Sequence, residues 1–269
     1  MAELDLFDLL KLEKYDLSKS PNDVSVEILN KGGDHSSILE EIPSEKNFIT
    51  IAVKKYMHTL GKSGHFTFSI KKNIPSGAGM GGGSSNAAAA LKIVSGIFDR
   101  GVDDELINAA SFTGSDVPFF LKGGFEFIEG RGEIVSAFDY NDESFVLLVN
   151  NGIHINTGFA YDSLKKPVSD EVINCCERKK IIIERISVKS EWKKLFNNDF
   201  EMSIFGLYPQ LGFIKENMYQ YGAFFASMTG SGSTVFGLFE DEYSAKNAQK
   251  ILEKGGNRVY FTKFRSNKN

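Results

Sequence analysis

Hydrophobic and polar positions along this chain switch between two periods. Residues 4–12 (Leu-Asp-Leu-Phe-Asp-Leu-Leu-Lys-Leu) and 24–29 place apolar residues at nearly every second position, which predicts strands. Residues 31–46 are rich in Gly, Asp, Ser, Glu and Lys and read as loop. From Asn47 to Leu60 apolar residues stand at 48, 49, 52, 53, 56, 57 and 60, a helical period. Phe66–Ile70 alternates again and predicts a strand that delivers the chain to a glycine-rich stretch. The run Asn86–Leu91 is a strong helix former, and Asp103–Ser111 predicts a second helix. Gly124–Ile128 and Glu133–Val135 predict a strand pair turned around Glu129–Gly132, and Ser144–Val149 predicts a buried strand.

The second half repeats the mixture. Residues 169–186, 190–197 and 211–218 read as helices, Phe224–Phe239 as two apolar segments around Thr-Gly-Ser-Gly-Ser, Asp241–Leu252 as an amphipathic helix and Arg258–Lys263 as a closing strand. A polar break at Tyr140-Asn-Asp-Glu143 predicts a domain boundary, dividing the chain into 1–142 and 143–269. There is no internal repeat or low-complexity tract.

Composition narrows the function classes. With 269 residues, 42% of them apolar, the chain has ample core for two domains. Its 31 basic and 35 acidic residues argue against nucleic acid as the main partner. No stretch reaches the apolar length of a membrane span, and the N-terminus lacks a signal-peptide pattern. The two cysteines, Cys175 and Cys176, are adjacent and read as reduced thiols, so a cytoplasmic protein is expected. His35, His58, His65 and His154 show no metal-ligand spacing, and no metal ligands are assigned.

Residues 74–91 carry the strongest chemical signal: Ile-Pro-Ser-Gly-Ala-Gly-Met-Gly-Gly-Gly-Ser-Ser-Asn-Ala-Ala-Ala-Ala-Leu. Gly77, Gly79, Gly81, Gly82 and Gly83 leave a backbone whose N–H groups can converge on an anion. Ser84 and Ser85 add hydroxyls, and the following helix aims its N-terminal N–H groups at the same place. A purely structural turn would not need so many glycines, each of which loses much backbone entropy on folding. Gly77-x-Gly79-x-x-Gly82 matches the dinucleotide fingerprint literally, but Lys71-Lys72-Asn73-Ile74-Pro75 interrupts the strand that the fingerprint requires. Gly61-Lys62-Ser63 is not a Walker A end, because Tyr56 stands where its first glycine belongs.

Asp116, in Phe112-Thr-Gly-Ser-Asp-Val-Pro-Phe-Phe, has two readings: a cap on the turn before Pro118, or a base that takes a proton from a substrate hydroxyl. Taken alone, the cap is the stronger reading. The glycine loop upstream favours the base, because phosphoryl transfer pairs a phosphate cradle with one. Met228-Thr-Gly-Ser-Gly-Ser-Thr-Val-Phe-Gly-Leu-Phe239 is either a hairpin tip or a second set of backbone donors for a phosphate.

In this order, the three segments resemble the three motifs of the GHMP kinase superfamily, from about Leu4 to the C-terminus. The resemblance implies an α+β fold of two domains, ribosomal protein S5 domain 2-like at the N-terminus and ferredoxin-like at the C-terminus, with the active site in a cleft between them. It implies a small-molecule kinase using ATP and Mg²⁺. The triple glycine with Ser-Ser-Asn, and Gly114-Ser-Asp-Val-Pro-Phe-Phe, are similar to the branch that phosphorylates the 2-hydroxyl of 4-diphosphocytidyl-2-C-methyl-D-erythritol in non-mevalonate isoprenoid biosynthesis. By the same resemblance Gly77, Gly79, Gly81, Gly82, Gly83, Ser84 and Ser85 bind the ATP phosphates, Lys72 lies near the nucleotide, and Asn47 matches an adenine-pocket asparagine. Asp116 matches the catalytic aspartate; Thr157, Tyr161, Gly230 and Gly232 match substrate-binding positions, with Tyr161 standing where the family usually has Phe. The implied partner is a small molecule carrying cytidine diphosphate, with neither nucleic acid nor membrane involved. The family's opening Pro-Ala-Lys-Ile-Asn-Leu hairpin and Gly-Tyr-His turn, with their catalytic lysine and cytosine-gripping side chains, have no counterpart in this sequence. The expectation is a chain truncated or started late, with an unpaired sheet edge, or one that has kept nucleotide binding and lost turnover. Another alcohol, such as homoserine or a mevalonate derivative, remains an alternative acceptor.

Overall fold

The computed structural model describes residues 1–17, 23–37, 39, 42–130, 132–164 and 175–265. The chain divides into two units: Met1–Ser76, Gly81–Asn141 and Arg265–Asn269 form the first, and Gly77–Met80 and Asp142–Phe264 the second.

In the first unit, β1 (Leu9–Asp16), β2 (Val24–Asn30) and β3 (Gly64–Lys71) form a sheet in the order β1-β3-β2. The alternation of β3 buries Phe66, Phe68 and Ile70 on one face. β1 runs antiparallel to β3, and β2 runs parallel to it. A parallel pair needs a crossover, and α1 (Phe48–Thr59) supplies it between β2 and β3. Helix α1 is capped by Asn47, whose side-chain oxygen accepts the Ile49 N–H at 3.0 Å. Helices α2 (Gly82–Ile97), α3 (Asp104–Thr113) and α4 (Val117–Lys122) complete the layer. Their core includes Tyr56, Met57, Leu91, Val94 and Leu106. Ala87, Ala88 and Ala90 are fully buried, so small side chains let α2 approach its neighbours closely. β4 (Glu126–Glu129) and β5 (Ile134–Ala137) form the expected antiparallel pair; Arg131, in the turn between them, lies outside the described residues.

The first strand is displaced from its predicted position, starting at Leu9 and ending at Asp16. The segment before it follows other partners. Glu3 donates its N–H to the Gly124 carbonyl at 2.8 Å, and Asp8 turns inward to accept backbone N–H groups. At the other end the ladder continues through a bulge between Leu12 and Lys14 to Asp16 opposite His65.

In the second unit, β6 (Phe145–Asn150), β7 (Phe225–Met228), β8 (Val235–Phe239) and β9 (Arg258–Lys263) form an antiparallel sheet ordered β7-β8-β6-β9. Around it lie α5 (Thr157–Asp162), α6 (Cys175–Arg185), α7 (Trp192–Leu195), α8 (Phe200–Leu207), α9 (Pro209–Gln220) and α10 (Glu242–Lys254). Helix α9 contributes Leu211, Ile214 and Met218 to the core, and α10 contributes Ala245, Ala248 and Leu252. Of the helix predicted at 169–186, the described part begins at Cys175; residues 169–174 lie outside the described residues. The helix predicted at 190–197 is a 3₁₀ turn at Lys189–Glu191 followed by the single turn of α7. The mixed helix-and-sheet character is that of the α+β class implied by the resemblance. Among the described residues no helix is long and apolar enough to cross a membrane.

Candidate active site

The glycine stretch adopts the backbone that only glycine takes readily. Gly77, Gly79 and Gly81 have φ of 66°, 74° and 67°. Space, as well as conformation, requires glycine at Gly79: a Cβ there would stand 2.6 Å from the Thr229 carbonyl oxygen and 2.7 Å from Thr229 Oγ1. That hydroxyl is buried and has no hydrogen-bond partner in the protein. Gly81 is the N-cap of α2 and its carbonyl accepts the Ser85 N–H at 2.8 Å. The first turn of α2 is Gly82-Gly83-Ser84, whose N–H groups have no partner within the helix. Helix α2 therefore starts four residues earlier than its alanine run predicts. Ser84 is buried, and Ser85 Oγ donates to the Gly82 carbonyl at 2.9 Å. The loop offers its backbone more openly than its hydroxyls.

Beneath the start of α2 lies Lys72, itself buried. Its Nζ donates to Asp8 Oδ2 at 2.5 Å and to the Ile74 carbonyl at 2.6 Å. A Cβ on Gly82 would come within 3.1 Å of this ammonium. Burial pulls the Lys72 pKa down from the ordinary lysine value, and the neighbouring Asp8 carboxylate partly restores it. Asn47 caps α1 as described, so its side-chain oxygen is engaged with Ile49.

Asp116 immediately precedes α4 but makes no capping hydrogen bond with its side chain. The capping role that its position suggests is not realised, and the residue as a whole is exposed. Surrounding protein raises its pKa above the ordinary aspartate value by desolvation. Its remaining contact with water screens part of that penalty. The backbone beside it is fixed by close approach, since a Cβ on Gly132 would fall 2.1 Å from the Ser115 carbonyl oxygen. Ser111, Ser115, Pro118 and Glu133 line a cavity of about 330 Å³ at this turn.

Two aromatic rings link the Asp116 turn to the start of α2. Phe120, on α4, lies against Gly81, where a Cβ would meet its ring at 2.8 Å. Phe48 faces Gly83 and Gly114, at 3.8 and 3.3 Å from their Cβ positions. The structure thus brings the helical half of the glycine loop and the Asp116 turn onto shared packing. Neither ring stands out in the sequence.

In the second unit, Gly230 and Gly232 have φ of 50° and 92° in the turn between β7 and β8. Asn198 Nδ2 donates to the Met228 and Gly230 carbonyls, each at 2.8 Å. The Glu201 carboxylate accepts from Ser227 Oγ and the Met228 N–H, both at 2.8 Å, and pairs with Lys215. The Thr234 N–H donates to the Ala78 carbonyl, and Gly77 rests on the His154 ring. Thr157 opens α5, with its hydroxyl 3.3 Å from Ser231 Oγ. Tyr161 is 62% exposed and meets Phe200 edge-on, with centroids 5.0 Å apart. An exposed ring held on one edge keeps a face free for a planar ligand. Asp8, Asn198 and Glu201 escape sequence reasoning because their partners lie far away in the chain. Among the described residues no cluster of three or more His, Cys, Asp or Glu side chains is disposed to hold a metal.

Comparison with known proteins agrees with this geometry. The sequence model of the GHMP kinases N terminal domain matches residues 47–124, which include both the glycine loop and Asp116, and that of the GHMP kinases C terminal domain matches residues 183–258. The chain is 34% identical to a 4-diphosphocytidyl-2-C-methyl-D-erythritol kinase of Syntrophus aciditrophicus (strain SB), over 81% of this chain and 76% of that protein. It is 38% identical to the protein of the same name from Geobacter sp. (strain M21), over 72% and 67% respectively. A solved structure of 4-(cytidine 5'-diphospho)-2C-methyl-D-erythritol kinase superposes with a TM-score of 0.74, covering 98% of this chain and 88% of that one at 24% identity, which shows the shared fold. Matched by both domain models and by relatives over most of their length, the chain belongs to the GHMP kinase family of small-molecule kinases.

Proposed function

We propose that this chain transfers the γ-phosphoryl group of ATP to the 2-hydroxyl of 4-diphosphocytidyl-2-C-methyl-D-erythritol, a step of non-mevalonate isoprenoid biosynthesis, in the cytoplasm. The observation that carries the reading is the glycine loop: left-handed glycines lead into the open N-terminus of α2, on packing shared with an uncapped carboxylate. The names of the relatives supply the acceptor.

In this reading Gly77, Gly79, Gly81, Gly82, Gly83, Ser84 and Ser85 receive the ATP phosphates, chiefly through backbone N–H groups. The unpartnered Thr229 hydroxyl beside Gly79 fits an oxygen-rich ligand. Asn47 borders the nucleotide, and Lys72 acts from beneath the loop. Asp116 takes the proton of the acceptor hydroxyl as its oxygen bonds to the γ-phosphorus and the bond to the β–γ bridging oxygen breaks, releasing ADP. A carboxylate without protein partners, its pKa raised by its surroundings, suits that task. Thr157, Tyr161, Gly230 and Gly232 hold the cytidine diphosphate end, with the Tyr161 ring against the base. Mg²⁺ would neutralise phosphate charge and arrive with the nucleotide, since such ions keep one or two carboxylates plus phosphate oxygens as ligands. The test is phosphate transfer from ATP to this alcohol, to homoserine and to mevalonate in parallel. Transfer to the cytidine-bearing alcohol alone is expected; preference for either of the others would overturn the acceptor assignment.

A further inference from the structure

Asp8 is charged, fully buried at its side chain, and outside the residues assigned to phosphate transfer. Its two oxygens are saturated. Oδ1 accepts the Asn73 N–H at 2.6 Å and the Ile74 N–H at 2.8 Å. Oδ2 accepts Lys72 Nζ at 2.5 Å and Asn86 Nδ2 at 2.8 Å. Burying an ion pair is a poor way to gain stability, because desolvation offsets most of the attraction, and its best-attested use is to fix one arrangement.

What is fixed here is specific. Asn73 and Ile74 lie just before the glycine stretch, and Asn86 lies just after it on α2. Glycine has no side chain to anchor itself, so a segment with Gly77, Gly79, Gly81, Gly82 and Gly83 has unusual backbone freedom unless its ends are held. Donors aimed at a reacting phosphate act best when they are already in place. We infer that Asp8 is a positioning residue whose carboxylate clamps both ends of the glycine stretch and so orders it for phosphate binding. The ordering stands on the hydrogen bonds alone; the consequence for ATP rests on the proposed function.

Asp8→Asn tests this with little change of shape. Its amide oxygen can still accept from Asn73 and Ile74, while its NH₂ faces the Lys72 ammonium, which has only donors. Asn86→Ala removes only the bond to α2 and decides the matter should the first variant fail to fold. Tyr56→Phe is the control: it removes a 3.2 Å bond to Ser95 in the same unit without touching the loop. Amide hydrogen exchange over 77–86 is read alongside KM for ATP and for the acceptor. Exchange is expected to quicken about tenfold in Asp8→Asn and Asn86→Ala, the effect of losing one charge-assisted hydrogen bond. KM for ATP should rise with it while KM for the acceptor holds, and Tyr56→Phe should change neither. Unaltered exchange over 77–86 in folded Asp8→Asn or Asn86→Ala would overturn the inference. Quickened exchange in a protein whose wild type transfers no phosphate would keep the clamp and sink the kinase reading.

Discussion

Gly79→Ala separates the two reasons for glycine in the loop. The conformational reason is its φ of 74°, which costs a non-glycine residue about 1–2 kcal/mol. The steric reason is that the new methyl would stand 2.6 Å from the Thr229 carbonyl and 2.9 Å from the Gly232 carbonyl, both rigid backbone. Overpacking of that kind adds about 1–3 kcal/mol. Gly152→Ala isolates the first term, because Gly152 has a φ of 82°, belongs to the same unit and has nothing within 4 Å of its Cβ position. Urea unfolding should therefore show Gly152→Ala losing about 1–2 kcal/mol and Gly79→Ala losing about 2–5 kcal/mol. If the loop relieves the clash by shifting, the same energy appears in function, and ATP affinity falls about tenfold for each 1.4 kcal/mol. Equal stability and equal ATP affinity in the two variants would refute the close packing of Gly79 on the Thr229 turn.

Asp116 yields a paired expectation. Its pKa is raised in the folded protein by desolvation, so it contributes stability while protonated and loses that contribution as pH rises through the folded value. At neutral pH, Asp116→Asn should melt no lower than the wild type, and this advantage should vanish below the ordinary carboxylate range of about 4. The acid limb of kcat/KM should lie above that range. A lower melting temperature of Asp116→Asn at pH 7 would contradict the assignment. Tyr161→Ala, at a site 62% exposed, should shift stability by no more than about 0.5 kcal/mol yet raise KM for the cytidine-bearing acceptor; an unchanged KM would remove Tyr161 from the site.

Much of this protein is legible in its periodicities because local packing enforces them. The 3.6-residue pattern of Asn47–Leu60 became α1, and the alternation of Phe66–Ile70 became β3, since each buries one apolar face on the same core. Short helices were harder to see. Helix α5 has six residues and buries only Ala160, too little to set a period, and α4 reads as an apolar run after Pro118. The start of α2 was hidden because Gly82 and Gly83 have low helix propensity, and tertiary packing overrides it. The chemical site divides in the same way. Glycines and Asp116 announce themselves by type and spacing, whereas Asp8 looks like one more polar residue in an alternating segment. Its role exists only once β3 and α2 are assembled around it.

The most direct test of the account is phosphate transfer from ATP to 4-diphosphocytidyl-2-C-methyl-D-erythritol by this chain and by Asp116→Asn, with ATP binding measured in both. Transfer is expected from the first, its loss by at least about a hundredfold in the second, and ATP binding retained in both. ATP binding without transfer by the unaltered chain would contradict it, leaving a nucleotide-binding protein in which Asp116 has no proton to take.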